Sequence, residues 1–177
     1  TPVQIDAPAA KLTDEDSLCG IGSCFAQNVL ERFTRLGMNV CQNPTGIVYN
    51  AASIRDAVLR VVENRPFQED DFFEHDGLWH AWELHGRFSD EDRAAAVDAA
   101  NRSLRDFREQ LEECGLLILT PSSSVVYVYR EISKIVANCH KVPNQRFNRQ
   151  LLSPSMNEEF LTKTINAAQT LNPTCPI

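Results

Sequence analysis

Apolar residues come in short blocks along this chain, and their spacing alternates between two periods. Leu18-Cys19-Gly20-Ile21-Gly22 is a compact apolar run ended by glycine and reads as a strand. Phe25, Val29, Phe33 and Leu36 then recur at helical spacing, and Gly37 supplies the stop. Met38-Asn39-Val40-Cys41 predicts a second, short strand. A loop, Gln42-Asn43-Pro44-Thr45-Gly46, and the run Ile47-Val48-Tyr49-Asn50 follow it. Asn50 is placed to cap a second helix carrying Ile54, Val58 and Val61 on one face. Strand, helix, strand, loop and helix in that order open a parallel α/β sheet.

Residues 72–88 break the pattern with clustered aromatics and three of the four histidines, and predict a hairpin or an irregular insertion. Ser89 with Asp92 looks like a capping box. The long helix predicted behind it buries Val97, Ala100, Leu104, Phe107 and Leu111 and stops at Cys114-Gly115. Leu116–Thr120 is an unbroken apolar run, expected as a buried parallel strand. Beyond Pro121 and three serines, residues 125–129 and 135–140 predict an added β-hairpin, residues 141–150 a polar loop. Ser153-Pro154 opens a last helix with Phe160, Leu161, Ile165 and Leu171. The first dozen residues, rich in Pro and Ala, read as an extended lead-in. Residues 172–177 read as a helix stop and the start of another strand. The expectation is a single domain over residues 1–177, truncated at its C-terminal end.

Composition narrows the classes. A chain of 177 residues, 43% apolar and 23% charged, builds one ordinary core. Its net charge of −7 leaves no basic face for nucleic acid. Six cysteines, at 19, 24, 41, 114, 139 and 175, form no C-x-x-C pair, which excludes common zinc spacings and a small disulfide scaffold. They point to a reducing, cytoplasmic compartment. No apolar run is long enough for a membrane span. Neither a dinucleotide-binding glycine fingerprint nor a phosphate loop is present, so no cofactor is expected.

The chemistry concentrates at Gly22-Ser23-Cys24. A strand that turns straight into a helix puts Ser23 and Cys24 at a helix N-terminus, where free N–H groups favour an anion or a thiolate. Either side chain can serve as nucleophile. The histidines at 75, 80 and 85 invite a metal, but spacings of five residues put them about 140° apart on a helix and on alternate faces of a strand. No metal site is expected. On a strand, His80 and Trp82 would share one face, Trp79 and His85 the other, a combination suited to a wall for sugar rings.

Gly22-Ser23-Cys24-Phe25-Ala26 resembles the name-giving motif of the bacterial GSCFA family, assigned to the SGNH-hydrolase-like superfamily. Residues 43–50, Phe73-Glu74-His75-Asp76-Gly77-Leu78-Trp79-His80, Arg87-Phe88-Ser89 and Asn138-Cys139-His140-Lys141 look like further family motifs in family order. The resemblance implies a three-layer α/β/α sandwich with a mainly parallel, SGNH- or flavodoxin-like sheet, carrying the hairpin and the aromatic, histidine-rich insertion. Laid without gaps on the superfamily's G-D-S motif, Cys24 takes the nucleophile position and Ser23 that of the Asp. A slip of one residue makes Ser23 the nucleophile. Gly46 resembles the second oxyanion-hole residue. Pro121-Ser122-Ser123-Ser124 stands where relatives carry a different stretch, and it offers no Asn. His140 is expected as a base or a ligand-orienting group, and the superfamily's D-x-x-H base is expected downstream of residue 177. Asn50, His80, Trp79, Trp82 and Asn138 complete the expected substrate contacts. The resemblance implies an ester hydrolase or acyltransferase acting on O-acyl esters, including those of carbohydrate. The alternative is a carbohydrate-binding or interaction module that kept the fold without the chemistry.

Overall fold

Five residues without a charged side chain, Leu18–Gly22, are buried throughout and form the central strand of the computed structural model, which describes residues 12–177. The expected Pro- and Ala-rich lead-in lies almost wholly outside the described residues. In chain order the elements are β1 (Leu18–Gly22), α1 (Cys24–Arg35), β2 (Val40–Gln42), α2 (Ala51–Val62), β3 (Phe72–His75), β4 (Leu78–Ala81), α3 (Arg93–Glu113), β5 (Leu116–Thr120), β6 (Val125–Tyr129), β7 (Lys134–Val136), β8 (Phe147–Leu151) and α4 (Pro154–Leu171). The chain is a mixed α/β protein with a parallel three-stranded sheet ordered β2-β1-β5.

Side-chain alternation along the strands divides the core in two. Leu18 packs with Leu116 and Ile118 against Ala26 and Leu30 of α1. Cys19, Ile21, Leu117 and Leu119 instead join Ile54 and Val58 of α2 and Ala100, Leu104 and Phe107 of α3. The stripe expected on α1 is rotated: Phe25 and Leu36 are 65% and 75% exposed, and Ala26 and Leu30 face the core. The turn that starts the helix at Cys24 sets this phase. The strand β5 is half-buried rather than buried, since among the described residues it pairs with β1 alone. On its other side the Leu117 N–H donates to the Pro176 carbonyl at 3.0 Å, so the last residues touch the sheet without forming a described strand.

The capping box expected at Ser89 is absent. Asp92 caps α3 instead, accepting from the Ala94 and Ala95 N–H groups, which leaves the Ser89 hydroxyl for another partner. Residues 72–81 form the antiparallel hairpin β3–β4, with Phe73 opposite His80. Its turn, Asp76-Gly77, has positive φ at both residues (52° and 79°), the backbone of a type I′ turn. The second hairpin, β6–β7, gains an unexpected third strand: β8 pairs antiparallel with β6 from Val125↔Leu151 to Tyr129↔Phe147. Val136, Tyr129 and Phe147 of this sheet enclose Trp82 and Phe73 in a separate aromatic core. Arg60 of α2 pairs with Glu83 at 2.8 Å, and Lys134 of β7 pairs with the same carboxylate, tying the two parts together.

Candidate functional site

All three parallel strands end at one edge, where β1 turns through Ser23 straight into α1 and β2 and β5 run into polar loops. That edge is where open α/β sheets bind ligands, at the point where strand order reverses, here between β1 and β5. Gly22 N–H donates to Asn43 Oδ1 at 2.9 Å and Gly22 C=O accepts from Val48 N–H at 3.0 Å, which locks the turn after β1 to the loop after β2. Ser23 N–H bonds both Oγ1 (3.1 Å) and the carbonyl (3.2 Å) of Thr120, which locks the same turn to the end of β5.

Ser23 and Cys24 have opposite surroundings. Ser23 is 3% exposed; its Oγ lies 3.3 Å from Thr120 Oγ1 and accepts the Phe25 N–H, the bond of a helix N-cap. Cys24 is exposed and is the first residue of α1, so its N–H has no acceptor within the helix. The thiol therefore sits beside the positive end of α1, and the serine hydroxyl holds the turn. Asn50 is likewise occupied: its Oδ1 accepts from Ser53 N–H at 2.9 Å as the cap of α2, with the residue buried.

Gly46 lies in the expected loop, but its N–H donates to the Asn43 carbonyl at 2.8 Å and is not directed at an oxyanion. Its φ of 84° and the His85 side chain packed where a Cβ would stand make glycine necessary there. In the same loop Asn43 Nδ2 and Thr45 Oγ1 are buried without a hydrogen-bond partner among the described residues. The sequence does not single out these donors; the motif at residues 43–50 that contains both is the only signal. The three serines after β5 are committed to structure. The Ser122 and Ser123 N–H groups donate to the Tyr49 carbonyl, Ser123 Oγ accepts from Val125 N–H, and Ser124 Oγ accepts from Asn157 Nδ2.

His80, Asn138 and His140 come together around a separate cavity of about 340 Å³, whose lining includes Ser89 and Lys141. His140 Nε2 donates to the Ala81 carbonyl at 2.9 Å, and burial pushes its pKa down to about 4, so the ring is neutral at pH 7. Asn138 Oδ1 accepts the His140 N–H at 3.0 Å and shapes the turn. Both rings of the expected sugar wall are half-buried, each with a neighbour against it. Trp79 lies under the Arg93 guanidinium (4.5 Å), and Trp82 stacks on Phe73 at 3.9 Å and abuts Tyr129 and Phe147. His80 and Trp82 do share the Phe73 ring, as expected of one face. His85 lies beyond the strand and packs on Gly46, not beside Trp79. No hydrogen bond joins a histidine to Cys24, and no cluster of metal-ligating side chains occurs, among the described residues.

No curated protein and no solved structure matches the chain. The model of one family, described as the GSCFA family, matches residues 17–177, from the strand that leads into Gly22-Ser23-Cys24 through the last residue. That match runs through the nucleophile turn, the hairpin and the His140 turn alike, and the chain belongs to the GSCFA family.

Proposed function

We propose that this protein is an ester hydrolase or acyltransferase of the SGNH type, acting on small-molecule or carbohydrate O-acyl esters with Cys24 as nucleophile. The contrast between neighbours carries the reading: Ser23 is buried and spent on the helix cap, whereas Cys24 presents a free thiol at the start of α1. A thiol needs less activation than a hydroxyl, and a helix N-terminus stabilises its anion. The strand order β2-β1-β5, with α1 on one face and α2 and α3 on the other, supports a three-layer SGNH- or flavodoxin-like arrangement.

Cys24, its thiol proton lost to solvent, adds through Sγ to the ester carbonyl carbon beside its own N–H. Collapse expels the alcohol, protonated by solvent, and water or an acceptor alcohol then takes the acyl group from the thioester and frees the thiol. Asn43, buried behind the same turn, holds it in place by accepting the Gly22 N–H at Oδ1. The carbohydrate-binding alternative draws less support, since the Arg93 guanidinium lies over Trp79 and Phe73 stacks on Trp82. Turnover of aryl acetates by Cys24→Ala and Ser23→Ala tests the proposal. Cys24→Ala should abolish the Cys24-dependent rate at unchanged stability, and Ser23→Ala should lose stability while retaining turnover. No effect of Cys24→Ala on turnover would sink it.

A further inference from the structure

The Ser89 hydroxyl, left free by the later start of α3, lies 2.6 Å from His80 Nδ1. The other ring nitrogen, Nε2, lies 3.1 Å from the His75 carbonyl oxygen. A carbonyl can only accept, so Nε2 carries the hydrogen and the neutral ring offers its lone pair at Nδ1. Ser89 O–H is then the donor. The result is a nucleophile bonded to a base whose far side is oriented by a third group, the arrangement that activates a serine.

We propose that Ser89 and His80 form a second acyl-transfer site, independent of Cys24, which takes small carboxylic esters in the cavity beside the β3–β4 hairpin. That cavity, about 340 Å³, suits a small ligand. Leu78 gives it an apolar wall, Lys141 places a cation on it, and Asn138 Nδ2 lies next to Gly86 in its lining. Asn138 uses its Oδ1 on the His140 N–H, which leaves Nδ2 as a donor for an oxyanion. His140 packs 4.5 Å from the His80 ring and fixes its plane from behind.

Ser89 Oγ adds to the ester carbonyl carbon as its proton passes to His80 Nδ1, and the carbonyl electron pair moves to oxygen. The His80 imidazolium keeps its Nε2–H on the His75 carbonyl. Collapse re-forms the carbonyl and expels the alcohol, which takes the proton back from His80. Water then adds to the acyl-serine with His80 again accepting and returning one proton, so ester and water become acid and alcohol. Burial lowers the His80 pKa, and the facing groups are His75, Glu74 and Asp76 of the hairpin with His140 and Lys141 of the turn after β7. His80 is therefore in its basic form at neutral pH.

An alkyl fluorophosphonate tests this on the folded chain, read by intact mass and peptide mapping. Attack by Ser89 Oγ on phosphorus displaces fluoride and leaves a stable adduct. One adduct at Ser89 is expected in wild type and in Cys24→Ala, none in Ser89→Ala, and labelling at least tenfold slower in His80→Gln. Should His80→Gln unfold, Ser89→Cys replaces it: alkylation of the introduced thiol by iodoacetamide in the folded protein should outpace that in the urea-unfolded chain. Absence of an adduct at Ser89 in the folded wild type overturns the proposal, as does labelling of the His80→Gln protein at the wild-type rate. Aryl acetate turnover separates the two sites. Turnover that survives Cys24→Ala and disappears in the Cys24→Ala, Ser89→Ala double variant belongs to this one.

Discussion

Gly22→Ala attacks the turn on which both faces of the sheet edge depend. The residue has φ of +144°, and an added Cβ would stand 2.5 Å from both the carbonyl oxygen and Oγ1 of Thr120. Thr120 cannot yield cheaply. Its carbonyl and hydroxyl both accept the Ser23 N–H, and Gly22 is in register with it across β1 and β5. Backbone strain of this kind costs about 1–3 kcal/mol, and forcing an extra methyl group into a filled space costs about 1–3 kcal/mol more. The expected loss is about 4 kcal/mol, a large part of the stability of an ordinary domain. For a chain of this length that is a fall in melting temperature of roughly 8–16 °C. Gly37→Ala is the control, since Gly37 also has positive φ (89°) but nothing within 4 Å of an added Cβ. It should cost only about 1–2 kcal/mol, the strain of a Cβ at positive φ alone. Urea unfolding with a common slope measures both. Equal, small losses for the two variants would refute the close approach at Thr120 and with it the locked turn.

Three further outcomes follow from the same geometry. A disulfide reagent should react in a fast phase at Cys24 that Cys24→Ala removes, while the buried Cys19, Cys114 and Cys175 react only as the chain opens, more than about a thousandfold more slowly. Fast reaction of those three in the folded chain would contradict their burial. The His140 imidazole titrates at the ordinary 6.5 when unfolded and about 4 when folded, so the unfolded chain binds more protons between those values. Stability should be full above pH 6.5 and fall by about 3 kcal/mol toward pH 4, and His140→Gln should flatten that slope in denaturation measured at a series of pH values. Asn50→Ala should cost about 1 kcal/mol through the lost cap of α2 and leave aryl acetate KM unchanged; a raised KM at unchanged stability would return Asn50 to the substrate.

What could be read from the sequence was whatever burial enforces. β1 announces itself because both of its faces are buried, α2, α3 and α4 because each lays an apolar stripe on the core, and Asn50 and Ser153 cap where their side-chain chemistry says they should. The strand β8 leaves no such trace: only Phe147 of Phe147–Leu151 is buried, and its pairing with β6 is a matter of backbone hydrogen bonds. Ser89 misleads because Ser-x-x-Asp suits a helix start locally, and the competing partner, His80, becomes a neighbour only after the chain folds back through the turn at Gly86–Phe88. The nucleophile turn is legible as a pair of candidates. Choosing between them needs Thr120, 97 residues away along the chain from Ser23.

The Asp76-Gly77 turn touches neither Cys24 nor Ser89 through any hydrogen bond, yet it sets the face His80 takes. Strand side chains alternate, so a slip of one residue in the β3–β4 pairing would carry His80 to the opposite side and bring Trp79 or Ala81 into its place. Register at this hairpin, not the sequence around Ser89, therefore decides which ring the hydroxyl meets. The Asp76-Gly77 turn, with positive φ at both residues, is what pins that register, so a change at the turn that let the strands slip would take His80 from Ser89 without altering any residue of the pair.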